Sequence, residues 1–132
     1  MERSIQCSVI TPERELYEGE AMYISLEAHD GQMGFLFNHA PIISELGIGE
    51  VQLRSDNNVE YLCVEGGVAE LRENRLIILA EHAYARDDLD EESIRQKLEE
   101  IENRETGGPS AESTRIQQEK RRLKARLKVA SR

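Results

Sequence analysis

The chain has no tryptophan, two phenylalanines and four tyrosines among 132 residues, so its apolar content is mostly aliphatic and any core is modest. No stretch approaches the roughly 18 to 20 consecutive apolar residues of a membrane span. The first twenty residues lack the basic-then-apolar order of a secretory leader, so nothing in them supports export. Cysteine is scarce: Cys7 and Cys63 have neither a cysteine nor a histidine at zinc-ligand spacing, and both sit in strand-like apolar runs. They read as free core thiols rather than a disulfide. The histidines, His29, His39 and His82, form no pair with metal-like spacing, so no metal is expected.

What the chain does have is charge, unevenly spread. Split at the Gly-Gly-Pro of 107 to 109, residues 1 to 110 carry nine Lys/Arg against 24 Asp/Glu, and residues 111 to 132 carry eight against two. A body of net charge -15 thus bears a tail of +6. That asymmetry suggests an electrostatic partner for the tail.

From Ile5 to about Glu81 the hydrophobic pattern has period two, interrupted by turn residues at short intervals, as in an all-β sandwich or barrel. The clearest strand, Ala21 to Ala28, would turn Met22, Ile24, Leu26 and Ala28 to the core. Glu73-Asn74 reads as a tight hairpin, and Gly66-Gly67, inside a strand-like run, as a bulge or a close backbone approach. Beyond Ala80 the period lengthens. The acids Asp87 to Glu92 suit a helix start, Ile94, Leu98 and Ile101 make a narrow stripe, and Thr106 to Ser110 should end that helix. A second helix, about Ala111 to Ala130, carries Ile116, Leu123, Leu127 and Ala130. The expected fold is α+β, a β-sandwich over 1–86 followed by an antiparallel two-helix hairpin over 87–132. Stripes this narrow contribute too little burial to offset the hairpin's chain entropy, so the hairpin should need a dock.

Candidate sites are few. Gly31 to Pro41, GQMGFLFNHAP, combines glycines, His39 and a proline. Yet His39 has no partner at triad spacing, and no helix opens after the glycines to hold a phosphate. A structural or docking role remains. The acids 87 to 92 lack the alternating ligands and turn glycine of a calcium loop. The basic cluster Arg115, Lys120, Arg121, Arg122, Lys124, Arg126, Lys128 and Arg132 has no interleaved aromatic residue, and the acidic body repels phosphates, so nucleic acid is not an expected partner. An acidic protein surface is favoured over a merely solvated face.

In series, Val9-Ile10-Thr11-Pro12-Glu13, Asp30-Gly31-Gln32-Met33-Gly34-Phe35-Leu36 with Asn38-His39-Ala40-Pro41, Leu46-Gly47-Ile48-Gly49-Glu50-Val51, Gly66-Gly67 and Leu79-Ala80-Glu81 make a specific pattern. It resembles the epsilon subunit of rotary, proton-driven ATP synthases. The resemblance implies a ten-stranded β-sandwich and a C-terminal helical hairpin. It also implies a non-catalytic, cofactor-free subunit of the central stalk, peripheral to the cytoplasmic face of an energy-transducing membrane. Its implied partners are the gamma subunit, the c-subunit rotor ring and, through the second helix, the catalytic beta subunit, where the hairpin can block ATP hydrolysis.

Carried over by position, Gly31, Gln32 and Met33 would meet the rotor ring, and Thr11, His39 and Ser44 would meet gamma. Arg115, Lys120, Arg121, Arg122, Lys124 and Arg126 would form the inhibitory basic helix. Gln32 stands where many relatives have Glu, which replaces a salt bridge by a neutral hydrogen bond. Phe37 replaces a usual proline. Some bacterial relatives bind ATP through Ile or Leu, Asp, two variable residues, Arg and Ala. Here Leu89 and Asp90 are kept, but Ser93 and Ile94 replace the Arg and Ala, so no useful ATP binding is expected. The alternative reading is a freestanding sandwich that binds a small ligand and carries a basic helical tail.

Overall fold

Alternation along the strands produces the architecture, and two glycines let it close. The computed structural model describes residues 3–104 and 111–132. Eight strands come first: β1 (Ile5–Ile10), β2 (Glu15–Ala21), β3 (Tyr23–Ala28), β4 (Gly31–Leu36), β5 (Ile42–Glu45), β6 (Ile48–Ser55), β7 (Asn58–Arg72) and β8 (Arg75–Ala85). A 3-10 turn (Arg86–Asp88) leads to helices α1 (Glu91–Arg104) and α2 (Ala111–Ala130). The expected helix end at Thr106 to Ser110 lies outside the described residues.

The strands pair in the order β2-β1-β8-β7-β6-β3-β4, with β5 also on β7. β7 and β8 are 15 and 11 residues long, and both pass from one layer of the sandwich to the other. In the first layer, β2, β1, the Arg75–Ala80 part of β8, the Gly67–Arg72 part of β7 and β5 lie side by side. In the second, the rest of β8 and β7 continue into β6, β3 and β4. The ten strands expected from the family are therefore eight continuous ones, two of which count in both layers.

The crossover sits at Gly66-Gly67, as a close backbone approach. Gly67 has φ +118, and a Cβ there would lie 2.0 Å from the Leu79 carbonyl oxygen. The Gly66 amide donates to the Gly47 carbonyl at 3.0 Å and the Leu46 amide to the Gly67 carbonyl at 2.9 Å, so the corner at Leu46-Gly47 is pinned to the crossover. Glu73 and Asn74, with φ of 52 and 61, make the two-residue β7–β8 hairpin whose twist matches its strands.

Between the layers, Ile5, Val9, Ile24, Leu26, Phe35, Leu53, Leu71, Leu76 and Ile78 form one core, each contributing about 1.5 to 3 kcal/mol of burial. One expectation fails: Met22 is exposed, not in the core. The chain bends there between β2 and β3, donating the Met22 amide to Arg54, so the alternation restarts at Tyr23.

Asp90 caps α1: its side chain accepts from the amides of Glu92 at 3.1 Å and Ser93 at 3.4 Å. Ile94, Leu98 and Ile101 of α1 then meet Leu123 of α2, flanked by Leu89, Ile116, Leu127 and Ala130. Both stripes read from the sequence thus face each other. The hairpin does have a dock, since α2 lies on β6 and β7.

Candidate interaction surfaces

Leu62 and Val64 of β7 point into the core, so Cys63 and Glu65 between and beyond them point outward, onto the face that α2 covers. Glu65 is 3% exposed there and Glu50 of β6 is 7% exposed. Buried carboxylates need charged partners. Both get them from α2. Arg126 donates through Nε and Nη2 to Glu65 at 2.6 and 3.0 Å, and Arg132 donates through the same two atoms to Glu50 at 2.7 and 2.7 Å. Each guanidinium also stacks on a tyrosine, Arg126 on Tyr84 at 4.8 Å and Arg132 on Tyr61 at 4.7 Å. Arg122 and Lys128 stand farther off, each 3.9 Å from Glu65 and Glu50 respectively.

In this folded state part of the basic tail pairs with carboxylates of the chain's own sandwich. Of the six basic residues singled out, Arg126 and Arg122 form ion pairs with Glu65 of the sandwich. Arg115, Arg121 and Lys124 are exposed, and Lys120 is half-buried. Arg121 and Arg122 wall a cleft of about 980 Å³ whose far side includes His29, Gly31 and Val68. Sequence reading missed Glu50 and Glu65 altogether.

Charge at this interface gives a pH signature. Burial pushes the Glu50 carboxyl up, but hydrogen bonds from Arg132 and Gln52 and the charges of Arg132 and Lys128 bring it below its ordinary value of 4.5. Tyr61 and Cys63 are its other titratable neighbours. A lowered folded value means that Glu50 stabilises docking fully above its ordinary 4.5, and that this contribution is lost as pH falls from there through the lowered value. Hairpin release followed by distances between labels on α2 and the sandwich should therefore gain an acid limb below pH 4.5, and Glu50→Gln should remove that limb's Glu50 share.

The remaining candidates fall in three places. Gly31 and Gln32 are exposed at the start of β4, while Met33 turns partly inward and its sulfur accepts the Ser44 hydroxyl at 3.4 Å. Thr11 is buried in the β1–β2 turn, where its hydroxyl donates to the Arg14 carbonyl at 3.2 Å. His39 follows β4 at a corner set by Asn38, whose amide donates to the Asn74 side chain at 2.6 Å. Its ring meets Phe35 edge-on at 5.1 Å.

Thr11 and His39 mark opposite ends of the first layer. Ile10, just before Thr11, lies opposite Leu79, whereas the corner at Asn38 is tied to Asn74 in the far hairpin. Between them, on the outer face, Ile43, Val68 and Leu79 are 71, 42 and 53% exposed. Val68 opposes Leu79 directly and lies diagonal to Ile43, so the three side chains are neighbours. The sandwich thus has one face clad by α2 and another on which three adjacent aliphatic side chains are exposed, with Glu45 and Glu70 beside them.

Leu89, Asp90, Ser93 and Ile94 all have structural work. Leu89 packs at the hairpin's margin, Asp90 and Ser93 form the cap, and Ile94 is buried. Cys7 and Cys63 are both free and buried, but only Cys7 belongs to the core. Cys63 lies under α2 instead. No group of metal-ligating side chains occurs among the described residues, and no helix among them is long and apolar enough to cross a membrane.

Residues 4–86 match the family model described as ATP synthase, delta/epsilon chain, beta-sandwich domain. An ATP synthase epsilon chain of Leptospira interrogans is 36% identical over 128 residues, 97% of this chain and 96% of that protein. One from Halalkalibacterium halodurans is 32% identical over 131 residues, covering 98% of each. Among solved structures, a chain of the Euglena gracilis mitochondrial ATP synthase, in an assembly of OSCP, F1 and c-ring, superposes with a TM-score of 0.84. It shares 16% identity, over 100% of this chain and 84% of that one.

Proposed function

The chain belongs to the ATP synthase delta/epsilon family, and from that premise we propose that it is a non-catalytic subunit of the central stalk. In this reading it couples proton-driven rotation to ATP synthesis and restrains ATP hydrolysis when its hairpin extends. Residues 1–86 dock, with the bare face of Ile43, Val68 and Leu79, bounded by Thr11 and His39, against the gamma subunit. Gly31 and Gln32, exposed at a turn, face the c-subunit ring. Residues 87–132 regulate, the basic residues of α2 meeting an acidic segment of the catalytic beta subunit. The complex would lie at the cytoplasmic face of its membrane, with this chain held there only through its partners.

The observation that carries the reading is the contrast between the two sandwich faces. Adjacent exposed aliphatic side chains mark a contact surface, and these three stay exposed while the hairpin is folded on the sandwich, with Ile43 and Val68 bordering the cleft that Arg121 and Arg122 also line. The structural tasks of Leu89, Asp90, Ser93 and Ile94 support a hairpin without a regulatory nucleotide. The test is made on the assembled complex: tagged chain purified from membranes should bring down gamma, and changing Arg115, Arg121 and Arg122 to Glu should raise ATP hydrolysis several-fold. A monomer without synthase partners would favour a freestanding ligand-binding module, and unchanged hydrolysis would count against inhibition by these residues.

A further inference from the structure

The face of β6, β7 and β8 beneath α2 has a repeated design. Cys63 lies opposite Glu50 on one side and Tyr84 on the other, while Tyr61 and Glu65 are its neighbours two residues away along β7. Strand alternation puts all five on the outer face. Each carboxylate has a tyrosine diagonal to it, and each carboxylate–tyrosine pair holds one guanidinium: the carboxylate takes two hydrogen bonds from it, and its central carbon lies over the tyrosine ring. Guanidinium, planar and five-donor, suits such a socket, whereas the ammonium of lysine does not. Lys128 accordingly stays 3.9 Å from Glu50.

We propose that Glu65 with Tyr84 and Glu50 with Tyr61 are two arginine sockets, and that their hold on Arg126 and Arg132 sets how readily the hairpin leaves the sandwich for an acidic partner. This rests on the reading that the hairpin regulates the complex. Arg126 cannot give the same two hydrogen bonds to Glu65 and to a carboxylate elsewhere, so the two dockings exclude each other. Little else binds α2 to the sandwich by burial: Leu123 faces α1, and Val129 is the other fully buried apolar side chain among those described in α2. The Arg86 guanidinium supports the second socket by donating to the Arg132 carbonyl at 2.8 Å.

Cys63 supplies a reporter. It is fully buried at the centre of the sockets, and burial together with the Glu65 charge pushes its thiol up to about 12. Lifting α2 uncovers it, whereas Cys7 stays in the core. The experiment measures maleimide modification of each cysteine by peptide mass spectrometry in the isolated full-length protein. Glu65→Gln and, separately, Arg126→Gln should speed modification of Cys63 about tenfold or more and leave Cys7 unchanged, since removing one partner strands the other charge at a buried site. The double variant E65Q/R126Q should fall well below the product of the two single effects. Unchanged Cys63 reactivity in both single variants, with native circular dichroism, overturns the sockets. The assembled complex then separates the two readings: faster Cys63 modification in E65Q with lower ATP hydrolysis supports both, and faster modification with unaltered hydrolysis keeps the sockets but removes the inhibitory role.

Discussion

Gly67→Ala should destabilise the sandwich by about 3 to 5 kcal/mol, enough to unfold much of a domain whose whole stability is typically about 5 to 15 kcal/mol. Two costs combine. The backbone angle of +118° is one that L side chains rarely adopt, and the added Cβ would meet the Leu79 carbonyl oxygen at 2.0 Å and the Ala80 Cα at 2.8 Å. Both obstacles are backbone of the paired strand, so neither can rotate away. Gly66→Ala should cost less, because its nearest obstacle is the end of the flexible Glu81 side chain at 2.6 Å. Gly31→Ala should be mildest: its φ is +139°, but no atom lies within 4 Å of the new Cβ. Urea midpoints of the three variants should follow that order, and a Gly67→Ala protein as stable as the parent would refute the close approach as the reason for the glycine.

Phe35→Ala should remove about 3 to 5 kcal/mol, through lost burial and the cavity left behind. Phe35 is fully buried on β4, opposite Ile24, and its ring supports His39. Leu36, next along the strand, is 60% exposed, so Leu36→Ala should change stability by less than about 0.5 kcal/mol. Thermal unfolding of the two variants would resolve a difference of that size. Equal losses would mean that β4 does not alternate as described. Because β4 also begins with Gly31 and Gln32, the ring contact proposed for them predicts that loosening β4 weakens recovery of the rotor ring with the tagged chain, with neither loop residue changed.

The stretch GQMGFLFNHAP shows how far sequence reaches. That no helix follows the glycines was legible, and the structure makes the stretch a strand with a corner. Orientation within it was less legible. Met33, placed by resemblance among the ring contacts, lies half in the core because β4 alternates from Phe35 backwards, and position in a motif carries no facing.

Local rules also located a helix start within Asp87 to Glu92, Glu73-Asn74 as a hairpin and Gly66-Gly67 as a bulge or a close approach. Each depends on the backbone preferences of a few adjacent residues, and those preferences are written in the sequence. Ile94, Leu98 and Ile101 could be matched to Leu123 for the same reason, since helical periodicity fixes one face of each helix. What the sequence alone determined, then, is the set of elements and the inward side of most of them. Only the tertiary structure decided that Glu50 and Glu65 receive Arg132 and Arg126, partners 82 and 61 residues apart in sequence. Alternation puts those glutamates on the outside of a sheet, where an acidic residue is ordinary. It is the docking of α2 on that side that turns them into buried, paired charges, and no local pattern encodes which face of a sandwich a distant helix will cover.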